Sequence, residues 1–261
     1  MAGAAGAPAP VVVLPGDAVG ELPRGGGETV RLGPGLREAG GKIVAHTAGV
    51  LRRDPRAGRW WVEGDARRYH AHPGDLVVGR IAEVRGEEFL VDIGGPYPAS
   101  LPALAFEGAT RRNKPNLKVA DAVHARVEFA NRDLDPVLTC VDASTGKAKG
   151  LGQLKGGYVL KCGSGLARKL LRWPPAPVLA ALGEAIPYEL AVGVNGWVWV
   201  KAEAPANTIL VANALKNSED LPDDQAELLV RTLTKRQRAA AAAAEEAGIT
   251  RAVDELMREA E

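Results

Sequence analysis

Apolar and polar residues alternate with a period of two through the middle of the chain, which predicts short strands that each bury one face. In the segment 88–95, Phe89, Val91 and Ile93 fall on the face that we expect to be buried. The segment 120–130 repeats the alternation. Its predicted inward positions are Val123, Ala125, Val127 and Phe129.

Glycine, proline, aspartate and asparagine cluster between these segments and mark the turns. Two more apolar runs, at 76–84 and 137–141, bring the predicted strands to four, and residues 131–136 form the predicted turn before the last one. Short strands at this spacing predict a closed OB-type β-barrel over residues 74–145.

The pattern differs on either side of the barrel. Residues 11–73 show short strands broken by turns, including a predicted strand pair at Trp60–Val62 and Tyr69, and indicate a small N-terminal β domain. Residues 146–236 mix strands with helices, and an antiparallel pair flanks the tight turn 193–196. The predicted fold class is therefore mixed β and α+β.

The two ends have compositions of their own. Residues 1–10 are small and flexible, without the basic start and apolar stretch of a signal peptide, and are predicted to be a disordered leader. Residues 237–261 are rich in alanine and charge, and are predicted to form a helical tail. The chain has no apolar window of about 18 residues, so we expect no membrane partner.

Charge and cysteine content narrow the class of protein. Lysine and arginine number 33 against 32 acidic residues, so contact with nucleic acid has to come from local patches. Cys140 and Cys162 are the two cysteines, too few for a disulfide scaffold or a thiolate zinc site. A reducing compartment, the cytosol or nucleus, fits this usage.

No pattern in the sequence indicates catalysis, a metal or a cofactor. Nucleophile elbows, phosphate-binding loops and dinucleotide fingerprints do not occur. Asp133 and Asp135 are interpreted as a solvated hairpin turn, and His70 and His72 as surface residues, because a third ligand is missing beside either pair. We therefore expect a protein that is not an enzyme.

Basic residues cluster in one long loop of the barrel segment. The loop offers guanidinium and ammonium groups that could bind RNA phosphates, although a purely solubilising loop would look the same. Its candidate RNA-binding residues are Arg111, Arg112, Lys114 and Lys118.

Several segments together resemble a known family, the cap subunits of the eukaryotic RNA exosome. Residues 79–95 resemble an S1-type OB fold, and residues 106–116 resemble a loop specific to these subunits. The Gly-Val-Asn-Gly turn at 193–196, followed by 197–200, resembles the G-x-N-G signature of the component-three type. Residues 12–17 and 33–37 match the N-terminal domain of that type.

The resemblance implies an N-terminal β domain, an S1-type barrel and a KH-like domain. It also implies a non-catalytic subunit that stabilises a ring of RNase PH-like subunits and guides RNA to a separate 3′→5′ exoribonuclease. The implied partners are RNA, the ring subunits and the other cap subunits in a hetero-oligomer, in the nucleus and nucleolus and also in the cytoplasm.

The turn departs from an RNA-gripping KH loop, whose middle positions are often basic, because its middle residues are Val194 and Asn195. We therefore hypothesise that Gly193, Asn195 and Gly196 form a structural turn that packs against the barrel. Leu90 stands where a stacking aromatic would be useful, so contact with RNA is expected to be mostly to phosphate.

Three alternatives stay open at the level of sequence. One is a sister cap subunit of the same S1 and KH type, or an archaeal equivalent. The second is a free-standing regulatory RNA-binding protein, which the near-neutral charge disfavours. The third is a nuclease or RNA-modifying enzyme, which would need a catalytic constellation that the sequence does not show.

Overall fold

Short strands interrupted by glycine turns build most of the computed structural model. It describes residues 11–22, 30–54, 57–64, 68–131, 133–142, 144–237 and 239. The predicted leader, residues 1–10, and nearly all of the predicted tail, residues 237–261, lie outside those ranges. The chain forms two compact units, residues 1–66 and residues 67–261, and each is described by itself.

The first unit consists of strands alone in its described part. They are β1 (Val11–Val13), β2 (Ala18–Glu21), β3 (Arg31–Leu32), β4 (Leu36–Ala39), β5 (Lys42–Ala45), β6 (Gly49–Asp54) and β7 (Arg59–Glu63). One sheet has the order β1-β6-β7-β3 and the other the order β2-β5-β4. Alternate side chains such as Ile43, Ala45 and Val62 are buried between them. The small N-terminal β domain that the pattern predicted is confirmed.

The second unit begins with the barrel. Its strands are β8 (Leu76–Arg85), β9 (Glu88–Asp92), β10 (Ala99–Pro102), β11 (Ala122–Asn131) and β12 (Leu134–Thr139). Successive pairing β8-β9-β10-β12-β11 returns to β8, which closes the sheet, and the β10–β12 pair is parallel. A short strand, β13 (Gly152–Leu154), adds to the free part of β11. Phe89, Val91 and Ile93 are buried as predicted, and the OB-type barrel is confirmed.

Three details of the predicted barrel are wrong. The strand β10 was not predicted, because its four residues, Ala-Ser-Leu-Pro, are too few to show a period. The last turn is shorter than 131–136, since β12 already begins at Leu134. Phe129 is 45% exposed, because shifts of register on both sides of it rotate the end of β11 out of phase. In the predicted N-terminal domain, the strand pair of Trp60–Val62 with Tyr69 is also wrong, because Tyr69 lies outside any strand and β7 pairs with β6 and β3 instead.

The remainder of the second unit mixes strands and helices. Its elements are β14 (Tyr158–Lys161), α1 (Ser164–Leu171), α2 (Pro177–Ala185), β15 (Tyr188–Val192), β16 (Trp197–Ala202) and α3 (Pro205–Asn217). A further helical stretch occupies residues 223–237. The strands form an antiparallel sheet, order β14-β16-β15, and one of its faces packs against the helices around Val198, Val200 and Leu182. The predicted α+β domain is confirmed.

The barrel and the α+β domain share a small apolar core. Val78 of β8 packs with Val159, Ala191, Trp197 and Trp199 from the second sheet. This cluster is separate from the interiors of the barrel and of the α+β domain. It places the turn between β15 and β16 directly against the barrel. Among helices of the described ranges, none is long and apolar enough to span a membrane.

Candidate nucleic-acid interface

The turn 193–196 connects β15 to β16, and its asparagine side chain is inserted against the barrel. The Asn195 amide nitrogen donates to the carbonyl oxygens of Val78 and Ile93, at 2.8 Å each. Its amide oxygen accepts from the backbone nitrogen of Val78 at 3.3 Å. Only 9% of Asn195 is exposed, and both polar atoms of its side chain are satisfied by barrel main chain, as a buried amide requires.

Main-chain bonds fix the same turn from both sides. The Val194 amide donates to the carbonyl of Leu76 at 2.8 Å, which adds a bond to the barrel. The Gly196 carbonyl accepts from the Cys162 amide at 2.8 Å, and the Cys162 thiol lies 3.1 Å from the same oxygen. The turn is therefore held between β8 and the end of β14.

Both glycines are required by this close approach. Gly196 has a φ of +79°, which disfavours any residue with a side chain, and an added Cβ would meet the carbonyl oxygen of Cys162. At Gly193 an added Cβ would collide with the amide oxygen of Asn195 and the backbone nitrogen of Val78. The contacts account for the residue types at all three positions. That the turn does not clamp RNA stays a prediction.

The predicted basic loop lies between β10 and β11, and its four cations are exposed. Buried Leu117 anchors the loop in the barrel core, and the Lys118 amide donates to Asp121 at 2.9 Å. The ammonium group of Lys114 lies 3.2 Å from a carboxylate oxygen of Glu87, so part of its charge is already paired. Within the described ranges no ion pair forms with Arg111, Arg112 or Lys118.

On the outer face of the barrel, the described residues directly beside Leu90 include no aromatic side chain. The residues beside Leu90 on the two neighbouring strands are Ser100 and Glu83. Ser100 donates to Glu88 at 2.7 Å, and Glu83 pairs with Arg85 at 2.8 Å. The surface is therefore polar and partly acidic, which disfavours base stacking and phosphate at this place.

The other sequence candidates are not brought together into a reactive group. In the described part of the chain, no three residues among His, Cys, Asp and Glu are positioned to hold a metal. Burial raises the pKa of the Cys140 thiol to about 12, so this thiol stays protonated. The Tyr69 hydroxyl donates to Asp75 at 2.7 Å, and burial together with this bond raises its pKa.

Two surface features were missed at the level of sequence. A cleft of about 390 Å³ opens at one end of the barrel, between the segment 70–73 and the strand ends near Tyr97 and Leu134. The loop from α1 to α2 carries Trp173 with 89% of its surface exposed. The two prolines after Trp173 were a readable signal for a loop, whereas the exposure of the indole and the cleft both arise from tertiary packing.

Comparisons with known proteins agree with this domain order. The family models that match are an exosome complex exonuclease Rrp40 N-terminal domain at residues 30–68, an exosome complex component RRP40 S1 domain at 69–152 and a KH domain at 157–206. A solved structure provisionally assigned to an exosome complex RNA-binding protein is 21% identical, with a TM-score of 0.56 over 66% of this chain and 99% of that one, and supports the fold alone.

Full-length relatives are considerably closer in sequence. Exosome complex component RRP40 of Drosophila melanogaster is 43% identical over 212 residues, covering 80% of this chain and 89% of the relative. The Schizosaccharomyces pombe protein of the same name is 41% identical over 205 residues, covering 76% and 83%. With identity above 40% over at least three quarters of both chains, the protein belongs to the exosome complex component RRP40 family.

Proposed function

We propose that this protein is a non-catalytic cap subunit of an RNA exosome. It stabilises a ring of RNase PH-like subunits, contacts other cap subunits, and guides RNA toward a separate 3′→5′ exoribonuclease in RNA processing and degradation. Its sites of action are the nucleus, the nucleolus and the cytoplasm.

The observation that carries this proposal is the fixed joint between an RNA-binding type of barrel and its neighbouring domain. Asn195 ties β15 and β16 to β8 through barrel main chain, so the second unit presents one surface rather than two loosely linked modules. A rigid presentation suits a subunit that lines a passage. The family membership supplies the complex in which that passage occurs.

The basic loop supplies the RNA contact in this proposal. Arg111, Arg112 and Lys118 are exposed and free to approach phosphates, whereas Lys114 already faces Glu87. Guanidinium and ammonium contacts to phosphate do not depend on base identity. The loop therefore guides many RNA sequences, which is the behaviour expected of a shared passage.

Reconstitution with purified exosome subunits tests the scaffold role. The chain is expected to co-elute with the ring, to raise the thermal midpoint of the ring, and to leave a labelled RNA intact on its own in Mg²⁺. Elution of the ring without the chain contradicts the scaffold role. Degradation of the RNA by the purified chain contradicts the non-catalytic assignment.

A salt series tests the loop separately. Replacing Arg111, Arg112 and Lys118 with serine is expected to weaken RNA binding and to lower the slope of log K against log salt by about 2, since each phosphate contact to a single strand contributes about 0.7. Lys114→Ser is expected to change affinity less, and Glu87→Gln to raise it, because Glu87 competes for Lys114. Serine at Lys155, Lys216 and Lys235, three exposed cations outside the loop, is the matched control. An unchanged slope in the triple variant shows that the loop does not bind RNA.

A further inference from the structure

The loop between α1 and α2 exposes a large apolar side chain without any use in the proposed RNA path. Trp173 is 89% exposed, and Leu171, at the end of α1, is 45% exposed. A fully presented indole is uncommon on the surface of a soluble domain, and tryptophan is the residue most enriched at the energetic centres of protein interfaces.

Neighbouring residues hold this loop in place. Leu170 on the same helix is buried in the domain core, and Ala176 is buried just before α2. Between them Pro174 and Pro175 have restricted φ angles. The Arg172 guanidinium pairs with Asp223, at the start of the 223–237 helix. The indole is therefore presented from a loop that has already lost most of its conformational freedom, which lowers the entropic cost of docking.

The segment 219–224 runs alongside α1 toward the α1–α2 loop and carries several acidic residues. Glu219 accepts from the Gly163 amide at 2.6 Å, and the Lys169 ammonium donates to the Leu221 carbonyl at 2.7 Å. Asp220 and Asp224 are exposed, and neither takes part in an ion pair within the described ranges. Free carboxylates therefore lie on the segment that reaches this loop, and the guanidinium next to Trp173 in the chain is already paired with Asp223.

This charge pattern distinguishes between two classes of partner. A platform for single-stranded RNA needs cations that follow the phosphate backbone beside the aromatic ring. On the segment that reaches Trp173 the exposed charges outside any ion pair are carboxylates, which would repel phosphate, and the nearby Lys169 ammonium is half-buried and bonded to the Leu221 carbonyl. A protein surface with an apolar pocket and lysine or arginine on its rim complements both parts of the patch.

We propose that Trp173 is the central anchor of a protein-docking surface formed with Leu171 and bordered by Asp220 and Asp224. Its partner is another subunit of the exosome complex, one that offers an apolar pocket with a basic rim. This inference rests on the proposed function, because it takes its partner from that complex.

The test measures the affinity of the full chain for purified exosome that lacks this subunit. Trp173→Ala is expected to weaken binding at least about tenfold, and Trp173→Phe to restore much of the loss, as for an anchor residue. Ile209→Ala removes a comparably exposed apolar side chain (62% exposed) from α3, away from the α1–α2 loop, and is expected to bind like the unaltered chain. Replacing Asp220 and Asp224 with lysine is expected to weaken binding relative to the unaltered chain. This loss of affinity is expected to be larger at low salt than at high salt, because salt screens the repulsion from a basic rim.

The outcomes separate this inference from the proposed function. Failure of the unaltered chain to join the complex contradicts the proposed function. Normal binding by Trp173→Ala, when the unaltered chain joins the complex, overturns the anchor role of Trp173 and leaves the proposed function standing. If Trp173→Ala loses RNA affinity but still assembles normally, the patch binds RNA, and the protein-docking inference is overturned as well. The thermal midpoints of Trp173→Ala and Trp173→Phe are expected to equal that of the unaltered chain, since the Trp173 side chain is exposed.

Discussion

At the scale of single residues, Asn195 has the most demanding environment among the candidate site residues. A hydrogen bond inside a protein adds little net stability, because it replaces a bond that the same groups make with water in the unfolded chain. A buried donor or acceptor that is left without a partner, however, lowers stability considerably. All three of its bonds go to main-chain atoms of Val78 and Ile93. An aspartate of nearly the same shape could not donate to the two carbonyls.

Asn195→Ala is expected to lower the free energy of unfolding by about 3 kcal/mol, because it leaves two buried carbonyls without donors. Urea unfolding followed by tryptophan fluorescence measures the change. Asn116→Ala, at an exposed position of the basic loop, is the control and should stay within about 0.5 kcal/mol. Equal stability of the two variants would contradict the anchoring role.

His124 provides a second prediction at this scale. Burial lowers the pKa of His124 below its ordinary value of 6.5, while Nδ1 lies 3.2 Å from the Gly150 carbonyl. The unfolded chain therefore binds a proton more readily, and stability falls as pH drops through 6.5. His124→Gln should reduce this loss, as seen in urea midpoints between pH 7.5 and 5.5. An identical pH dependence in the variant would show that another group is responsible.

At the scale of elements, the hairpin β15–β16 shows how a short turn determines its surroundings. Its strands are paired in register from Tyr188–Ala202 to Val192–Val198. The turn then has to fit between the barrel and Cys162, which leaves no space for side chains at its glycines. The hairpin thus connects two domains as well as two strands.

Gly196→Ala is expected to destabilise the protein by at least about 2 kcal/mol, from the left-handed backbone and the contact with the Cys162 carbonyl. Gly183→Ala is the matched control, since its Cβ would point into open space within α2. That change should stabilise the protein by about 0.5–1 kcal/mol through helix propensity. Thermal and urea unfolding of both variants give the comparison, and a neutral Gly196→Ala would refute the packing argument.

Periodicity predicted most elements because the long strands bury one face each. Alternation located β9, and it located β11 as far as Val127. It failed at Phe129 because the register shifts there depend on pairing with β12, which a single strand does not reveal. It also failed at β10, whose four residues are defined by their neighbours β9 and β12.

At the scale of the whole molecule, residues 67–261 combine two domains through a shared core and a polar joint. Val78 belongs to the apolar cluster with Trp197 and Trp199 and also bonds to Asn195. Opening the joint would expose this cluster and break the bonds at the same time. We therefore expect the barrel and the α+β domain to unfold together.

Hydrogen exchange measures this coupling directly. The Val194 amide, bonded to Leu76, should be protected to about the same degree as the Ile81 amide inside the barrel, bonded to Asp121. In Asn195→Ala both should exchange faster by similar factors. Much faster exchange at Val194 alone would mean that the domains separate while the barrel stays folded.

The candidate site was predictable only in part, because some of its contacts join residues that are far apart in the sequence. Exposed Arg111, Arg112 and Lys118 follow from the polar composition of one continuous loop. The pairing of Lys114 with Glu87 could not be predicted, because those residues are 27 positions apart and meet only when β8, β9 and the loop are assembled. The exposed setting of Trp173 depends likewise on where α1 and α2 pack.

The bonds of Asn195 have a consequence for how this family can diverge. They reach only peptide groups of the barrel, and every residue type at positions 78 and 93 carries the same carbonyl. Mutations can therefore accumulate on the barrel surface without breaking the hydrogen bonds to Asn195, provided that the backbone conformation of the barrel is kept. A barrel transplanted from a distant relative should still engage this asparagine, leaving the basic loop free to evolve on its own.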